Sequence, residues 1–491
     1  MKKFLLKNLF LLVFLNTASL RATTAFSDSL GLENRYALLP AQYPYIFENP
    51  ATVFFFANHF IADYAAPDPS GGFILSQENL SVGLFSGTPS EGALNSAAPQ
   101  GGLFHLAKPT YQPQVETGSG MTLDAAATNS AYYLGNLQSR VSRLDDAGDL
   151  PLRKQNLSLI LAFGQSSAGL AFLWDFGRVS DQEEHEGFGK EKISLMRQQM
   201  SLGLGFISAP SDSLPLFDGY LKVKVYDIKN EFAATGSGGE TIQASYRTSG
   251  SFSTESNLRI GIRLSSVVYS YFLGGLSFFD HSTTANARAH AGSLSPFHFQ
   301  DTYSRTGYRY EIGFSLRRDF AQNSFAYLAM LWEAFNIDLF YDGIDHTNSQ
   351  YSSEPYGAHL SYQRLPLIAG FSTRLNQTWL LNFSLRSFLY REPAEGFVFA
   401  QERWIRQNPA FKDREFQESH RTVLQNPLAT QVNMGFSCQI AEVRFDWLAS
   451  IELLRRGPHF ISGTQIPLLT RLGISYNFAS WFKENKEKKE D

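Results

Sequence analysis

Between Arg305 and Leu316 the chain alternates apolar and polar side chains at every step. Tyr308, Tyr310, Ile312, Phe314 and Leu316 fall on one parity, and Arg309, Glu311, Gly313, Ser315 and Arg317 on the other. Successive side chains of a strand point to opposite faces, so this segment makes a ribbon with one apolar and one polar side. Similar ribbons recur from Asn156 to Phe478: Leu157, Leu159, Leu161, Phe163; Leu170, Phe172, Trp174, Phe176; Leu258, Ile260, Ile262, Leu264; and finally Leu472, Ile474, Tyr476, Phe478. A sheet that is apolar on one face and charged on the other must bury its apolar face in lipid or in a core.

The connections bear on that choice. Only a few residues separate Gly164 from Gly169, Asp319 from Ser324, Arg374 from Trp379, and Ile440 from Val443, which are hairpin lengths. Segments 178–191, 231–255, 280–304, 341–356 and 392–428 are richer in Gly, Ser, Asp, Glu or His and are expected to be long loops. Short and long connections that alternate along the chain belong to a membrane barrel with tight turns on one side and long loops on the other. The expected fold is therefore all-β, a transmembrane antiparallel up-and-down barrel of about 14–16 strands. A soluble sandwich or propeller would also alternate. Against it stand the full charges on the polar parity (Lys222, Lys224, Arg259, Arg309, Glu311) and the aromatic ends of strands such as Tyr476-Asn477-Phe478.

The first 22 residues read as an export signal. Lys2, Lys3 and Lys7 precede the apolar run Leu9–Leu15, and Arg21-Ala22-Thr23-Thr24-Ala25 offers cleavage after Ala22 or Ala25. The run is shorter than the roughly 20 residues of a spanning helix. Residues 23–127 are expected to hold a plug and the first strands, 128–478 the barrel, and 479–491 a solvated periplasmic tail. That tail carries Lys483, Glu484, Lys486, Glu487, Lys488, Lys489, Glu490 and Asp491, and is a docking point for a periplasmic protein partner in a second reading. The expected location is the outer membrane of a Gram-negative envelope. Outer-membrane lipid is then one partner, and barrel-assembly machinery, which reads an aromatic-ended last strand, is another.

Composition excludes other classes. The chain has 42 basic and 46 acidic residues and a formal charge of −4, without a basic stripe, so nucleic acid is set aside as a partner. Phe (42) and Tyr (22) are abundant, yet beyond the signal no run of 18 uncharged apolar residues occurs, which disfavours an inner-membrane helical protein. The single cysteine, Cys438, cannot close an internal disulfide and lies in the alternating run Val432, Met434, Phe436, Cys438, Ile440 as a small filler.

No catalytic set stands out: there is no Gly-x-Ser-x-Gly elbow, His-Glu-x-x-His pair or phosphate loop, and Gly164-Gln165-Ser166-Ser167-Ala168 suffices as a turn. His281, His290 and His298, and Asp145-Asp146 with Asp149, lack metal-ligand spacing. Neither an enzyme nor a cofactor is expected. The residues expected to line the lumen are Arg259, Arg263, Arg309, Arg317 and Arg386, opposed by Glu311 and Asp446, since fixed charge biases what passes a pore; an equal reading has them pair with each other in a packed interior without a pore.

The segment Glu48-Asn49-Pro50-Ala51, after a signal and before a large barrel, resembles the Asn-Pro-Ala motif of the outer-membrane long-chain fatty-acid transporter family. In that family the motif adjoins an N-terminal plug within a barrel of fourteen strands. The Gly- and Ala-rich stretch that usually precedes it is replaced here by Ala37-Leu38-Leu39-Pro40-Ala41-Gln42-Tyr43. The resemblance implies a plug around Asn49, Pro50 and Ala51 and transport of a hydrophobic substrate; the barrel itself is expected to be a channel or transporter for small or hydrophobic solutes. Two other classes stay open: a non-conducting binding or assembly barrel that holds a protein partner, and a barrel enzyme acting on lipid or protein. For Pro50 a plain turn before a strand is an equal reading, because a proline already disfavours helix in the residue before it.

Overall fold

The computed structural model describes residues 23, 25–26, 30, 43–65, 68–86, 153–165, 167–186, 189–208, 216–236, 241–248, 250–290, 297–321, 324–345, 356–391, 431–449 and 469–479. They form one antiparallel sheet of seventeen strand segments that closes on itself. The first three are β1 (His59–Ala65), β2 (Asp68–Gln77) and β3 (Leu80–Ser86). Next come β4 (Arg153–Gln165), β5 (Ala168–Glu186), β6 (Gly189–Ser208), β7 (Leu216–Gly236), β8 (Thr241–Thr248) and β9 (Ser251–Arg263). β10 (Val268–His290), β11 (Phe297–Ala321) and β12 (Ser324–Asp345), the three longest, are followed by β13 (Tyr356–Arg374). β14 (Trp379–Arg391), β15 (Gln431–Ile440), β16 (Val443–Ala449) and β17 (Leu469–Asn477) complete the wall.

β8 and β9 lie end to end between β7 and β10, so together they make one stave and the closed barrel has sixteen strands. That is the upper end of the expected range. Closure is made by β1 on β17, with His59 opposite Asn477 and Tyr64 opposite Leu472. All neighbours pair antiparallel, and no sheet edge is left among these strands.

Polarity is inverted relative to a soluble protein. Phe163, Phe172, Leu202, Leu221, Leu276, Ile312 and Leu328 are exposed on the outer face, while Asp175, Lys222, Lys224, Arg259, Glu311, Glu333 and Asp446 are buried on the inner one. Water would penalise that outer band, whereas acyl chains accept it. Near the short-turn end aromatic rings pack along it: Trp379 stacks on Trp447 at 5.8 Å, Trp447 on Phe445 at 6.0 Å, and Tyr476 meets Phe478 at 6.4 Å. Cys438 lies between them in register, opposite Trp379 and Phe445, and is buried. Among the described residues no helix is long and apolar enough to cross a membrane, which bears on helices alone.

Three expectations are corrected. Segments 178–191, 231–255, 280–304 and 341–356 are in large part strand: β5 runs to Glu186, β7 to Gly236, β10 to His290 and β12 to Asp345. The 23 residues of β10 span about 75 Å at strand rise, whereas crossing lipid takes roughly 9–11 residues. Beyond the lipid both faces of a strand meet water, so alternation fades although backbone pairing continues. Alternation reported the lipid, not the strand. His281 and His290 accordingly lie in β10 and His298 in β11, not in a loop. The first strands expected within residues 23–127 begin only after a 3-10 helix, Pro50–Phe56, and are three in number over 59–86. The start of the expected barrel at 128–152, segment 392–428, Asp145, Asp146 and Asp149, and the tail from Lys483 lie outside the described residues.

Candidate functional site

Some strands are apolar on their inner face as well. Ile160 and Ala162 on β4, Ala171 and Leu173 on β5, and Ile207 on β6 are all buried, and so are Ile61, Ile74 and Phe85 on β1–β3. What covers them is the chain's own N-terminal segment. Ile46, Phe47, Ala51, Val53 and Phe56 share one apolar cluster with these residues, and Phe47 meets Phe85 edge-on at 5.1 Å. Burial of Ile46, Phe47, Val53 and Phe56 contributes on the order of 8 kcal/mol before the entropy of ordering the segment is subtracted.

The local fold of that segment follows from three residues. Pro50 opens the 3-10 helix Pro50–Phe56, where its missing N–H costs nothing. Asn49 caps it: Asn49 Oδ1 accepts from the Ala51 amide at 3.1 Å, and the Thr52 hydroxyl donates back to the Asn49 carbonyl at 2.8 Å. Asn49 also reaches the wall. Its Nδ2 donates to the Phe206 carbonyl at 3.2 Å and to Asp218 Oδ1 at 3.4 Å. The wall leaves room for this only because position 205 is glycine. A Cβ there would sit 2.2 Å from Asn49 Oδ1 and 2.7 Å from Pro50 Cδ.

Asp218 is the hub of this seat. It faces Arg259 directly across the β7–β9 pairing, and both side chains are wholly buried. Arg259 Nε donates to Asp218 Oδ2 at 2.9 Å, and the guanidinium carbon lies 5.0 Å from the Tyr45 ring centre. The Tyr45 hydroxyl donates to Asp218 Oδ1 at 3.3 Å. Four residues further along the same face of β7, Lys222 Nζ donates to the Phe47 carbonyl at 2.8 Å and lies 3.7 Å from Glu48. Two buried cations and one buried carboxylate of the barrel thus hold Tyr45, Phe47, Glu48 and Asn49. A buried charge is tolerable only with such partners.

A second seat lies on other staves. The Thr23 hydroxyl donates to Asp446 Oδ2 at 2.8 Å, and Arg444 Nε donates to Asp446 Oδ1 at 2.8 Å. The Arg444 guanidinium covers the Phe26 ring at 4.4 Å. Phe26 and Leu30 share an apolar cluster with Leu273, Phe325, Tyr327, Ala329, Leu331 and Ile368 on β10, β12 and β13. The Tyr327 hydroxyl donates to the Leu30 carbonyl. The N-terminal residues therefore touch inner walls on many staves around the bore.

Of the residues singled out from sequence, Arg259, Asp446, Asn49, Pro50 and Ala51 meet in these two seats, although Arg259 and Asp446 belong to different ones. Arg309 pairs with Glu311 at 2.8 Å, and Glu311 also accepts from Asn257 Nδ2 at 3.0 Å. Arg317 pairs with Asp319 at 2.7 Å and lies over the Phe325 ring at 4.3 Å. Arg386 is buried on β14. Arg263 is elsewhere: it sits at the exposed end of β9 and donates to the Ser265 and Ser266 carbonyls of the turn. Asp218, Tyr45, Gly205, Arg444 and Thr23 were not singled out. Arg444-Phe445-Asp446 repeats the spacing of Arg309-Tyr310-Glu311 and Arg317-Arg318-Asp319, which puts opposite charges on one strand face, so that signal was present. Among the described residues no grouping of His, Cys, Asp and Glu could hold a metal ion.

No family model matches the chain, and no curated protein does, so the resemblance at Asn49, Pro50 and Ala51 stands on those residues alone. Solved structures similar to it include the toluene transporter TodX of Pseudomonas putida, at 10% identity and a TM-score of 0.42, covering 92% of this chain and 98% of that one. The ferric yersiniabactin uptake receptor FyuA of Yersinia pestis is similar at 12% identity and a TM-score of 0.39, over 79% of this chain. The chain spans about half the length of that receptor, 53%. At these scores neither likeness carries an argument about function.

Proposed function

We propose that this protein is an outer-membrane barrel transporter for small or hydrophobic solutes, with its bore plugged by its own N-terminal segment. The observation that supports it is the pairing of a lipid-compatible outer band with an inner wall that is apolar where the N-terminal segment lies. An open water-filled porin has no use for inward Ile160, Leu173, Phe325 and Leu331. A conduit whose passage is filled by a removable apolar segment does, and once that segment shifts, the same side chains offer a surface to an apolar solute.

A second reading, a non-conducting barrel that binds or helps assemble a protein partner, draws on the inner charges. Arg259 with Asp218, Arg309 with Glu311, Lys224 with Glu255 and Arg444 with Asp446 neutralise each other inside the wall. Conductance and uptake by the refolded full-length protein separate the two. The transporter reading expects low, intermittent ion conductance in planar bilayers together with uptake of a small aromatic hydrocarbon into proteoliposomes. Steady large conductance would remove the plug. Absence of both conductance and uptake, in the wild type and in a variant with a loosened seat, would leave the binding reading.

A further inference from the structure

We infer that export processing cuts the Ala22–Thr23 bond, and that the new α-ammonium of Thr23 completes a buried ion pair with Asp446. Thr23 is fully buried, and its backbone nitrogen lies 3.4 Å from Asp446 Oδ2, the same oxygen that accepts from its hydroxyl. Asp446 has no exposed surface, and its other oxygen is taken by Arg444. An amide at this position brings one neutral N–H to a buried carboxylate. A free terminus brings a cation with three donors, a second charged partner beside Arg444 for a carboxylate that has no exposure.

The wall is shaped for this residue. A Cβ at position 473 would lie 2.2 Å from Thr23 Oγ1, 2.5 Å from Thr23 Cβ and 2.8 Å from Asp63 Oδ1, so β17 admits Thr23 only because Gly473 is there. Asp63, a second buried carboxylate, therefore borders the same spot. Asp446 and Asp63 thus both border Thr23, so an α-ammonium there lies beside two buried carboxylates. Cleavage after Ala25, the alternative the leader offers, would discard Thr23 and leave Asp446 without its hydroxyl and amine contacts.

The step is a hydrolysis. Water adds its hydroxyl to the Ala22 carbonyl carbon, the C–N bond to Thr23 breaks, and the nitrogen takes up protons to become an ammonium at neutral pH. The enzyme class required is an envelope peptidase that cuts after a small residue. Processing then does more than remove a leader: it creates the charge that fastens the segment in the bore. The inference rests on the export reading, but its test is independent of whether the barrel transports anything.

The first measurement is the intact mass and N-terminal sequence of the full protein purified from membranes. A chain beginning at Thr23 is expected. A chain beginning at Phe26, or one that retains the leader, overturns the inference. The second is the rate at which an amine-acylating reagent labels the α-amine near pH 7, compared between native and urea-unfolded protein. Native protection of at least tenfold is expected, and Asp446→Asn should abolish most of it while heat-modifiable migration on gels shows the barrel still folded. Equal labelling of the native and unfolded chain overturns the ion pair. If Asp446→Asn does not fold, Thr23→Gly, which keeps the ammonium and removes the hydroxyl, should keep the protection; its loss there overturns the pair as well.

Discussion

Arg259 and Asp218 face each other across β7 and β9, wholly buried, with Nε 2.9 Å from Oδ2. Asp218 is at the same time the acceptor for Asn49 and Tyr45 of the N-terminal segment. Wall stability and segment seating therefore share one carboxylate. Arg259→Met leaves Asp218 buried beside two neutral donors, and breaking a buried pair from one side costs about 3–5 kcal/mol. The double variant Arg259→Met/Asp218→Asn removes the stranded charge and should recover part of that loss. Urea midpoints of heat-modifiable migration in liposomes measure both. Equal stability of wild type and Arg259→Met would show that the pair carries no such load.

Gly205 and Gly203 form a matched test on the inner face of β6. A Cβ at 205 meets Asn49 Oδ1 at 2.2 Å and the Pro50 ring at 2.7 Å, whereas at 203 its nearest neighbour is Leu173 Cβ at 3.3 Å, which needs only a few tenths of an ångström of yielding. Overpacking costs about 1–3 kcal/mol where the neighbours cannot yield. Here the cheapest response is for the segment to lift off the wall. Gly205→Ala is expected to raise the open time of single channels in planar bilayers several-fold, and Gly203→Ala to leave it near wild type. Indistinguishable traces for the two variants would refute the seating argument.

How far the sequence carried follows from where a face meets lipid. The band from Tyr308 to Leu316 was legible because acyl chains select every second side chain, and the outward residues Ile312, Phe314 and Leu316 are as that rule requires. The upper reaches of β5, β7, β10 and β12 were not, because pairing outside the membrane needs no apolar parity. Asn49 and Pro50 were visible as a motif, but their partners Asp218 and Gly205 are more than 150 residues away in sequence and meet them only through closure of the barrel. The inner seat did leave a trace in the sequence. Leu159 to Phe163 and Phe325 to Leu331 are apolar on both parities, which marks a strand with lipid on one side and a packed segment on the other.

Asn49 separates capping from bridging. If it only started the 3-10 helix, Asn49→Asp would be the milder change, since Asp caps about as well as Asn, and Asn49→Ala would cost about 1 kcal/mol. The Nδ2 contacts with the Phe206 carbonyl and Asp218 predict the opposite order. A carboxylate at 49 loses both donors and faces Asp218 across 3.4 Å, so Asn49→Asp should be the more damaging of the two. Limited proteolysis of the segment in liposomes gives the comparison, with the aspartate variant cut faster. Slower cutting of Asn49→Asp than of Asn49→Ala would reduce the motif to a turn.

Ile312 tests the premise on which the membrane reading depends. It is 61% exposed on the outer face of β11, with inward Glu311 beside it only 3% exposed. In a water-soluble protein an exposed isoleucine accepts arginine within about 0.5 kcal/mol, and often gains solubility. In the middle of a bilayer the same change costs about 2–4 kcal/mol. Ile312→Arg should therefore lower the urea midpoint for folding into liposomes clearly, while the equivalent change at Leu264, on the exposed short turn, should have a small effect because interfacial arginine is tolerated. Should both variants fold as the wild type does in bilayers, or should Ile312→Arg fold without lipid or detergent, the apolar band would have to face something other than acyl chains.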